Sequence, residues 1–152
     1  EKAKRIRWFG IDRKKKQQGI WKNDVYEIGY KYQMTDIAAT MGCDSLSEFD
    51  QIIKHRQKIY KTYLNEFSDN KKVISIHDDD VKKEHGAWLF TINVNNKDEL
   101  QKKLRQHSIE TNQVHFRNVD YLENRYLVLP VHHKVTVSDA KYISKLVNRF
   151  SK

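Results

Sequence analysis

Between Phe49 and Phe67 the residues Phe49, Ile52, Ile53, Ile59, Tyr60, Tyr63, Leu64 and Phe67 recur three and four positions apart. Only a helix gathers such positions onto one side, so a long amphipathic helix is the element around which the rest must be arranged. Arg56 interrupts this stripe, next to His55. A cation there points to a buried ion pair or an interface contact rather than to catalysis. Ser45 and Glu48 have the spacing of a capping box and predict the start of this helix. A shorter helix should precede it, with Thr35 as N-cap, Asp36 at the positive end of its dipole and Gly42 as its end.

The remaining pattern alternates strands with helices. Residues 1 to 9 read as the end of a helix that Gly10 stops in the left-handed conformation, and residues 11 to 28 read as a loop containing Gly19. Val73 to Ile76 predict a short strand, closed by the loop Asp78-Asp79-Asp80. Trp88, Phe90, Ile92 and Val94 alternate with smaller or polar residues, as in a strand with one buried face. Asn96 and Glu99 repeat the capping-box spacing ahead of a helix with Leu100 and Leu104 inside. Ile109 to Phe116 and Tyr126 to Leu129 predict two more strands. Thr136 and Asp139 cap a last helix with Ala140, Ile143, Val147 and Phe150 on its inner face. The order predicts an α+β fold: a small, largely antiparallel sheet covered by helices and preceded by a long helix.

Composition narrows the classes of function. A chain of 152 residues is the size of one domain, and 38% hydrophobic with 32% charged residues describes a polar chain that folds. No apolar run is long enough to cross a bilayer, and the N-terminus lacks the apolar core of a signal peptide. Cys43 is the one cysteine, which excludes an internal disulfide, fits a cytoplasmic setting, and reads as a small buried residue in a helix. The net charge of +9 favours polyanions, and much of it lies in Lys2, Lys4, Arg5, Arg7 and Arg13 to Lys16. No zinc-finger spacing, ribonucleoprotein motif or heptad-bearing basic helix accompanies that patch, so a solvated basic face is the plainer reading. His132 and His133 lack the companion ligands that a metal centre requires, so none is expected.

Several short motifs recur in an order that carries a family resemblance. A basic helix ends in Arg7-Trp8-Phe9-Gly10, and the turn Gly29-Tyr30-Lys31-Tyr32-Gln33-Met34-Thr35-Asp36 follows. Next come Ala38-Ala39-Thr40-Met41-Gly42 and the His55-Arg56 pair. Ala87-Trp88-Leu89-Phe90, Val114-His115-Phe116-Arg117 and Leu129-Pro130-Val131-His132 complete the series. Together they resemble the C-terminal region of the DegT/StrS family of pyridoxal-phosphate-dependent sugar-nucleotide aminotransferases, enzymes of fold type I.

The resemblance implies roles for particular residues. Residues 1–34 of the single domain 1–152 would come from the large-domain side, 35–70 would be connecting helices, and 71–152 would be the small domain. Lys31 would bind the phosphate of pyridoxal 5'-phosphate in the partner subunit of a homodimer with shared active sites, a task that suits a flexible ammonium. Tyr32 would stand beside the cofactor, with Tyr30 and Gln33 walling the site toward the substrate, although packing at a helix entry explains the tyrosines equally well. His115 and Arg117 would meet a nucleotide diphosphate at the substrate edge, or equally form an exposed strand end. After Asn118 the family has a longer excursion than the stretch Val119 to Asn124 supplies here. The complete enzyme would transfer an amino group from glutamate to a keto-deoxysugar nucleotide in the cytoplasm. Its Schiff-base lysine belongs upstream of the basic helix, so no catalytic residue is expected in these 152 residues, which alone should be inactive. The alternatives are a non-catalytic module whose basic N-terminal segment binds nucleic acid, and a regulatory partner that dimerises through the Ala38–Phe67 helices.

Overall fold

A computed structural model describes residues 1–20, 22, 25–75, 86–112 and 123–152. Its elements are α1 (Lys2–Arg7), α2 (Arg13–Gln17), α3 (Asp36–Phe67), β1 (Ile74–Ser75), β2 (Phe90–Asn93), α4 (Lys97–Gln106), β3 (Tyr126–Leu129) and α5 (Val137–Phe150). They fall into two compact units, Glu1–Ser47 and Glu48–Lys152, with α3 contributing residues to both.

The second unit carries the apolar core. β2 is the central strand of an antiparallel sheet ordered β1-β2-β3, with Ile74 opposite Asn93 and Phe90 opposite Leu129. Phe90, Ile92 and Val94 are buried at alternate positions, as the period-two pattern predicts. Trp88 departs from that pattern and is 73% exposed. It precedes the first paired residue, and Ala87 at φ 46° turns the chain just before it, so the strand's alternation does not reach back that far. Leu127, Val128 and Leu129 are buried as a continuous run. Of the strand expected from Ile109 to Phe116, the described residues contain one isolated bridge, Asn112 to Val128, and the part beyond Asn112 lies outside them. The segment Asp78-Asp79-Asp80 is likewise outside the described residues.

Helices close this core from the sequence positions their periods select. Ile59, Tyr60, Tyr63 and Phe67 of α3 are buried, as are Leu100 and Leu104 of α4 and Ala140, Ile143 and Val147 of α5. Each fully buried Val, Leu, Ile or Phe side chain contributes about 1.5–3 kcal/mol relative to exposure. The rings of Tyr60 and Tyr63 approach Phe90 at centroid distances of 4.8 and 4.9 Å. Tyr63 Oη donates to the Pro130 carbonyl at 3.0 Å, so the phenol's polar tip is satisfied inside the core. Burial, reinforced by the Asp139 charge, pushes this phenol above its ordinary range and keeps it a donor.

Three capping signals have different fates. Thr136 forms the predicted box: its hydroxyl accepts from Asp139 N at 3.1 Å, and the Asp139 carboxylate accepts from Thr136 N at 2.9 Å. Asn96 begins α4 without a side-chain cap, because its amide is taken by the end of α5: Nδ2 donates to Phe150 O and Oδ1 accepts from Lys152 N. Ser45 caps nothing. It lies inside α3 and donates to Met41 O at 2.9 Å, while Gly42 keeps a negative φ and the helix runs through it unbroken. The two helices expected on either side of Gly42 are therefore one, since a glycine stops a helix only when it takes the left-handed conformation. Thr35 does start it, accepting from Ala38 N at 3.3 Å.

The first unit is held differently. Gly10 is the only buried residue among its described residues, and Cys43, expected to be buried, is exposed on α3. α1 ends at Arg7, earlier than expected, because Trp8 already bridges Lys31; Phe9 and Gly10 follow at φ 54° and 73°. The loop expected over 11 to 28 contains the short helix α2, which lacks an apolar period and is started by Asp12 accepting from Lys14 N at 3.0 Å.

Two consequences are measurable. A Cβ added at Gly42 meets nothing within 4 Å, so Gly42→Ala should stabilise the protein by up to about 1 kcal/mol in thermal unfolding; a loss instead would mean that the helix breaks there. Thr136→Ala should cost about 1 kcal/mol through the lost cap. The Thr136 hydroxyl, and then its backbone N–H, hold the Asp139 carboxyl below the usual 3.8. A depressed folded-state value adds stability above that pH and loses it as the pH falls through and below it. The melting-temperature gap between wild type and Asp139→Ala should accordingly be full at neutral pH and close below about pH 3.8.

Candidate functional site

The turn from Gly29 to Thr35 is fixed by main-chain hydrogen bonds to the end of α1. Tyr30 N donates to Ile6 O at 2.7 Å, Phe9 N to Tyr30 O at 3.1 Å and Tyr32 N to Arg7 O at 3.0 Å. Such bonds require the two segments to touch along their backbones. A Cβ on Gly29 would overlap the nitrogen of Gly10, and a Cβ on Gly10 would overlap the carbonyl oxygen of Glu27. Glu27 is also the anchor of a half-buried ion pair, accepting from Arg5 Nε at 2.9 Å and from Arg5 Nη2 at 2.7 Å.

This frame presents the candidate side chains. Lys31 is exposed and has no ion pair among the described residues. The Tyr30 and Tyr32 rings stack with centroids 5.0 Å apart and planes 13° from parallel, both largely exposed. In an extended segment alternate residues share a side, so the stacked pair lies on one side of the turn and Lys31 with Gln33 on the other. Gln33 lines a cleft of about 240 Å³ with Arg7, Trp8 and Arg13, and its buried Oε1 lacks a hydrogen-bond partner among the described residues. Much of the basic patch around it is already engaged. Lys4 and Lys14 approach Glu1 at 3.3 and 3.5 Å, Arg13 lies over the Trp8 ring at 5.2 Å, and Lys15 donates to Tyr26 Oη at 2.8 Å.

A second cleft, of about 380 Å³, lies within Glu48–Lys152. Arg56, Trp88, Glu110, Pro130 and His132 are among its walls. Arg56 is half-buried, and its Nε is sealed from solvent without a hydrogen-bond partner among the described residues. The expected buried ion pair at Arg56 is thus not formed among those residues. His55 Nε2 contacts the Val135 carbonyl at 2.8 Å, a structural bond. His115 and Arg117 lie outside the described residues. His132 and His133 stand edge to face at 6.1 Å, and no group of three or more potential metal ligands occurs among the described residues. Among those residues no helix is long and apolar enough to cross a membrane.

The model of the DegT/DnrJ/EryC1/StrS aminotransferase family matches residues 1–148. The chain belongs to that family. A UDP-4-amino-4,6-dideoxy-N-acetyl-beta-L-altrosamine transaminase of Campylobacter jejuni is 27% identical over 165 residues, covering 94% of this chain and 43% of the relative. AtS13 from Actinomadura melliaura superposes with a TM-score of 0.83 at 21% identity, over 97% of this chain and 43% of that one. The PMP form of Spr1654 from Streptococcus pneumoniae gives 0.73 at 19% identity, over 96% and 43%. The chain therefore has the fold of the C-terminal part of a DegT-family aminotransferase, and spans less than half the length of the relatives it matches.

The DegT-family turn depends on the glycine contact, which sets up a direct test. Gly29→Ala should force the two backbone segments apart. Hydrogen exchange at the amides of Phe9, Tyr30 and Tyr32 should then accelerate by at least about tenfold, while Leu127 to Leu129 in the sheet stay protected. Unchanged protection at Tyr30 and Tyr32 would show that the close approach is not required.

Proposed function

We propose that this chain supplies the C-terminal part of a pyridoxal-phosphate-dependent enzyme that moves an amino group from glutamate to a nucleotide-linked keto-deoxysugar. The observation that carries the reading is the exposed Lys31 ammonium, held by the bridge to Trp8 and without an ion pair among the described residues. A fixed turn with a free flexible cation suits a phosphate. The residues present thus fit the phosphate end of the cofactor. When bound, the cofactor supplies the electron sink for breaking bonds at the amino-bearing carbon. Lys31 balances the phosphate charge across the interface of a homodimer, and Tyr32 flanks it. Tyr30, Gln33, His115 and Arg117 serve the substrate, with the buried acceptor of Gln33 available to a hydroxyl or N–H donor. The lysine that does the proton transfer comes from the preceding part of the fold, so the 152-residue polypeptide alone does not transaminate.

The surface of Glu1–Ser47 supports this division of labour. Val25, Ile28, Tyr32, Met34, Ile37 and Met41 are all exposed, in a unit that buries only Gly10 among its described residues. So much exposed apolar surface marks a face that other protein covers. Residues 1–34 accordingly belong to the large-domain side, 35–70 to the connecting helix and 71–152 to the small domain. The same reading places the enzyme in the cytoplasm.

The test is to co-express the N-terminal half of a relative with this chain and to titrate the folded complex with pyridoxal phosphate. Binding should appear as a change in cofactor absorbance. Lys31→Ala should weaken it by about 10- to 100-fold, as expected for one charged hydrogen bond to phosphate, and Lys31→Arg should restore part of the loss. A folded complex that leaves the cofactor's absorbance unchanged would overturn the assignment.

A further inference from the structure

The segment that carries Lys31 has no core to lean on, since Val25, Tyr26, Ile28, Tyr30 and Tyr32 are all exposed. Its register against α1 must therefore come from polar contacts and close backbone approach. Successive residues at the end of α1 hold it like rungs. Arg5 meets Glu27, the Ile6 carbonyl accepts from Tyr30 N, the Arg7 carbonyl accepts from Tyr32 N, and Trp8 bridges Lys31. The first rung differs in kind, because charged side chains make it. Glu27 is also the sole carboxylate in the sequence between residues 25 and 35.

The geometry of that rung is specific. Arg5 Nε and Nη2 both donate to Glu27 Oε1, at 2.9 and 2.7 Å, while Oε2 lies 3.9 Å from Lys2 Nζ. The Glu27 side chain is 18% exposed and that of Arg5 31%, so salt screens the pair less than it would a surface one. The Arg5 guanidinium also lies over the Tyr26 ring at 5.6 Å, and Tyr26 N donates to Gly10 O at 3.1 Å. The Arg5 carbonyl accepts from Trp8 N at 2.9 Å and from Gly10 N at 2.8 Å. One residue thus ties together the end of α1, the Gly10 turn and the segment returning toward Lys31.

We infer that Glu27, through its pair with Arg5, is a positioning residue for the cofactor phosphate. It acts by holding the main chain from which Lys31 extends, not by contact with the phosphate. The assignment rests on the reading of Lys31 as the phosphate ligand and gives that contact a second determinant. It also fixes the sign of an effect. A carboxylate near an anion site repels the anion, so by charge alone its removal tightens binding. A positioning carboxylate does the reverse: once it is gone the lysine is less well ordered beforehand, and phosphate binding weakens.

The test compares pyridoxal phosphate with pyridoxal, which lacks the phosphate, by cofactor absorbance in the complex with the N-terminal half. Glu27→Gln should weaken pyridoxal phosphate by about fivefold or more, within the range of couplings inside one network, and leave pyridoxal unchanged. In a Lys31→Ala background the same substitution should have no further effect. The reversed pair, Arg5→Glu with Glu27→Arg, should recover most of the loss. In the 152-residue chain alone, Glu27→Gln should speed hydrogen exchange at the amides of Tyr30 and Tyr32. Pyridoxal phosphate binding that is unchanged or tightened by Glu27→Gln overturns the inference, as do equal losses for both compounds or a loss that persists without Lys31. If Lys31→Ala weakens pyridoxal phosphate while Glu27→Gln does not, the positioning role falls and the aminotransferase reading stands. A folded complex that binds neither compound removes both.

Discussion

The ring of Phe90 is where helix and sheet meet in the second unit, and most of that unit's geometry follows from it. Tyr60, Tyr63 and Phe67 all reach it from α3, at centroid distances from 4.8 to 6.0 Å. These are one and two helical turns of a single stripe, so the pairing fixes the helix's rotation as well as its distance from β2. The Tyr63 hydroxyl then fixes the exit of β3 by bonding Pro130 O. With the rotation set, the stripe's next position toward the N-terminus is Arg56, in the wall of the cleft beside Pro130. A packing contact between aromatic rings thus decides where a charge stands.

The first unit solves the opposite problem. It buries almost nothing among its described residues, and its turn is specified by main-chain hydrogen bonds between segments that approach as closely as backbones can. Glycine at positions 10 and 29 is what permits that approach, and the Arg5–Glu27 pair closes the same turn from the side. Hydrogen bonds of this kind contribute little net stability each, because water competes for both partners. They do impose direction. Such a frame can hold Lys31 at a defined place while the side chain itself stays in solvent.

How much of this was legible in the sequence depended on whether the deciding interaction is local. The α3 stripe from Ile59 to Phe67, the buried alternation of Phe90, Ile92 and Val94, and the inner face of α5 all came from the chain's own period, whereas Phe49, expected on the same apolar side, is 52% exposed. Cap signals were less faithful, since three sites with similar spacing gave one box, at Thr136, one diverted amide, at Asn96, and one residue inside a helix, Ser45. Spacing records what a side chain is able to bond, and tertiary neighbours decide what it does bond. The short α2 had no period to read and is held by one aspartate. The Lys31 turn was visible as a motif, but its hydrogen bonding to α1 was not. The cleft at Arg56 gave no signal in the sequence, because neither an Nε unpartnered among the described residues nor an exposed Trp88 exists before the chain folds.

The treatment of other withdrawn cations shows why Arg56 is informative. Arg5 is partly removed from water and receives the Glu27 carboxylate through two of its nitrogens. Lys97 is more deeply placed, at 5% exposure, and donates to the Glu123 carbonyl at 2.7 Å with Asp98 at 3.6 Å. In both cases the loss of hydration is offset by a partner within the same unit, as burial of a charge requires. Arg56 departs from that pattern at Nε, which has no partner among the described residues although it sits on the apolar face of α3. An apolar residue there would continue the stripe without leaving a donor unpaired.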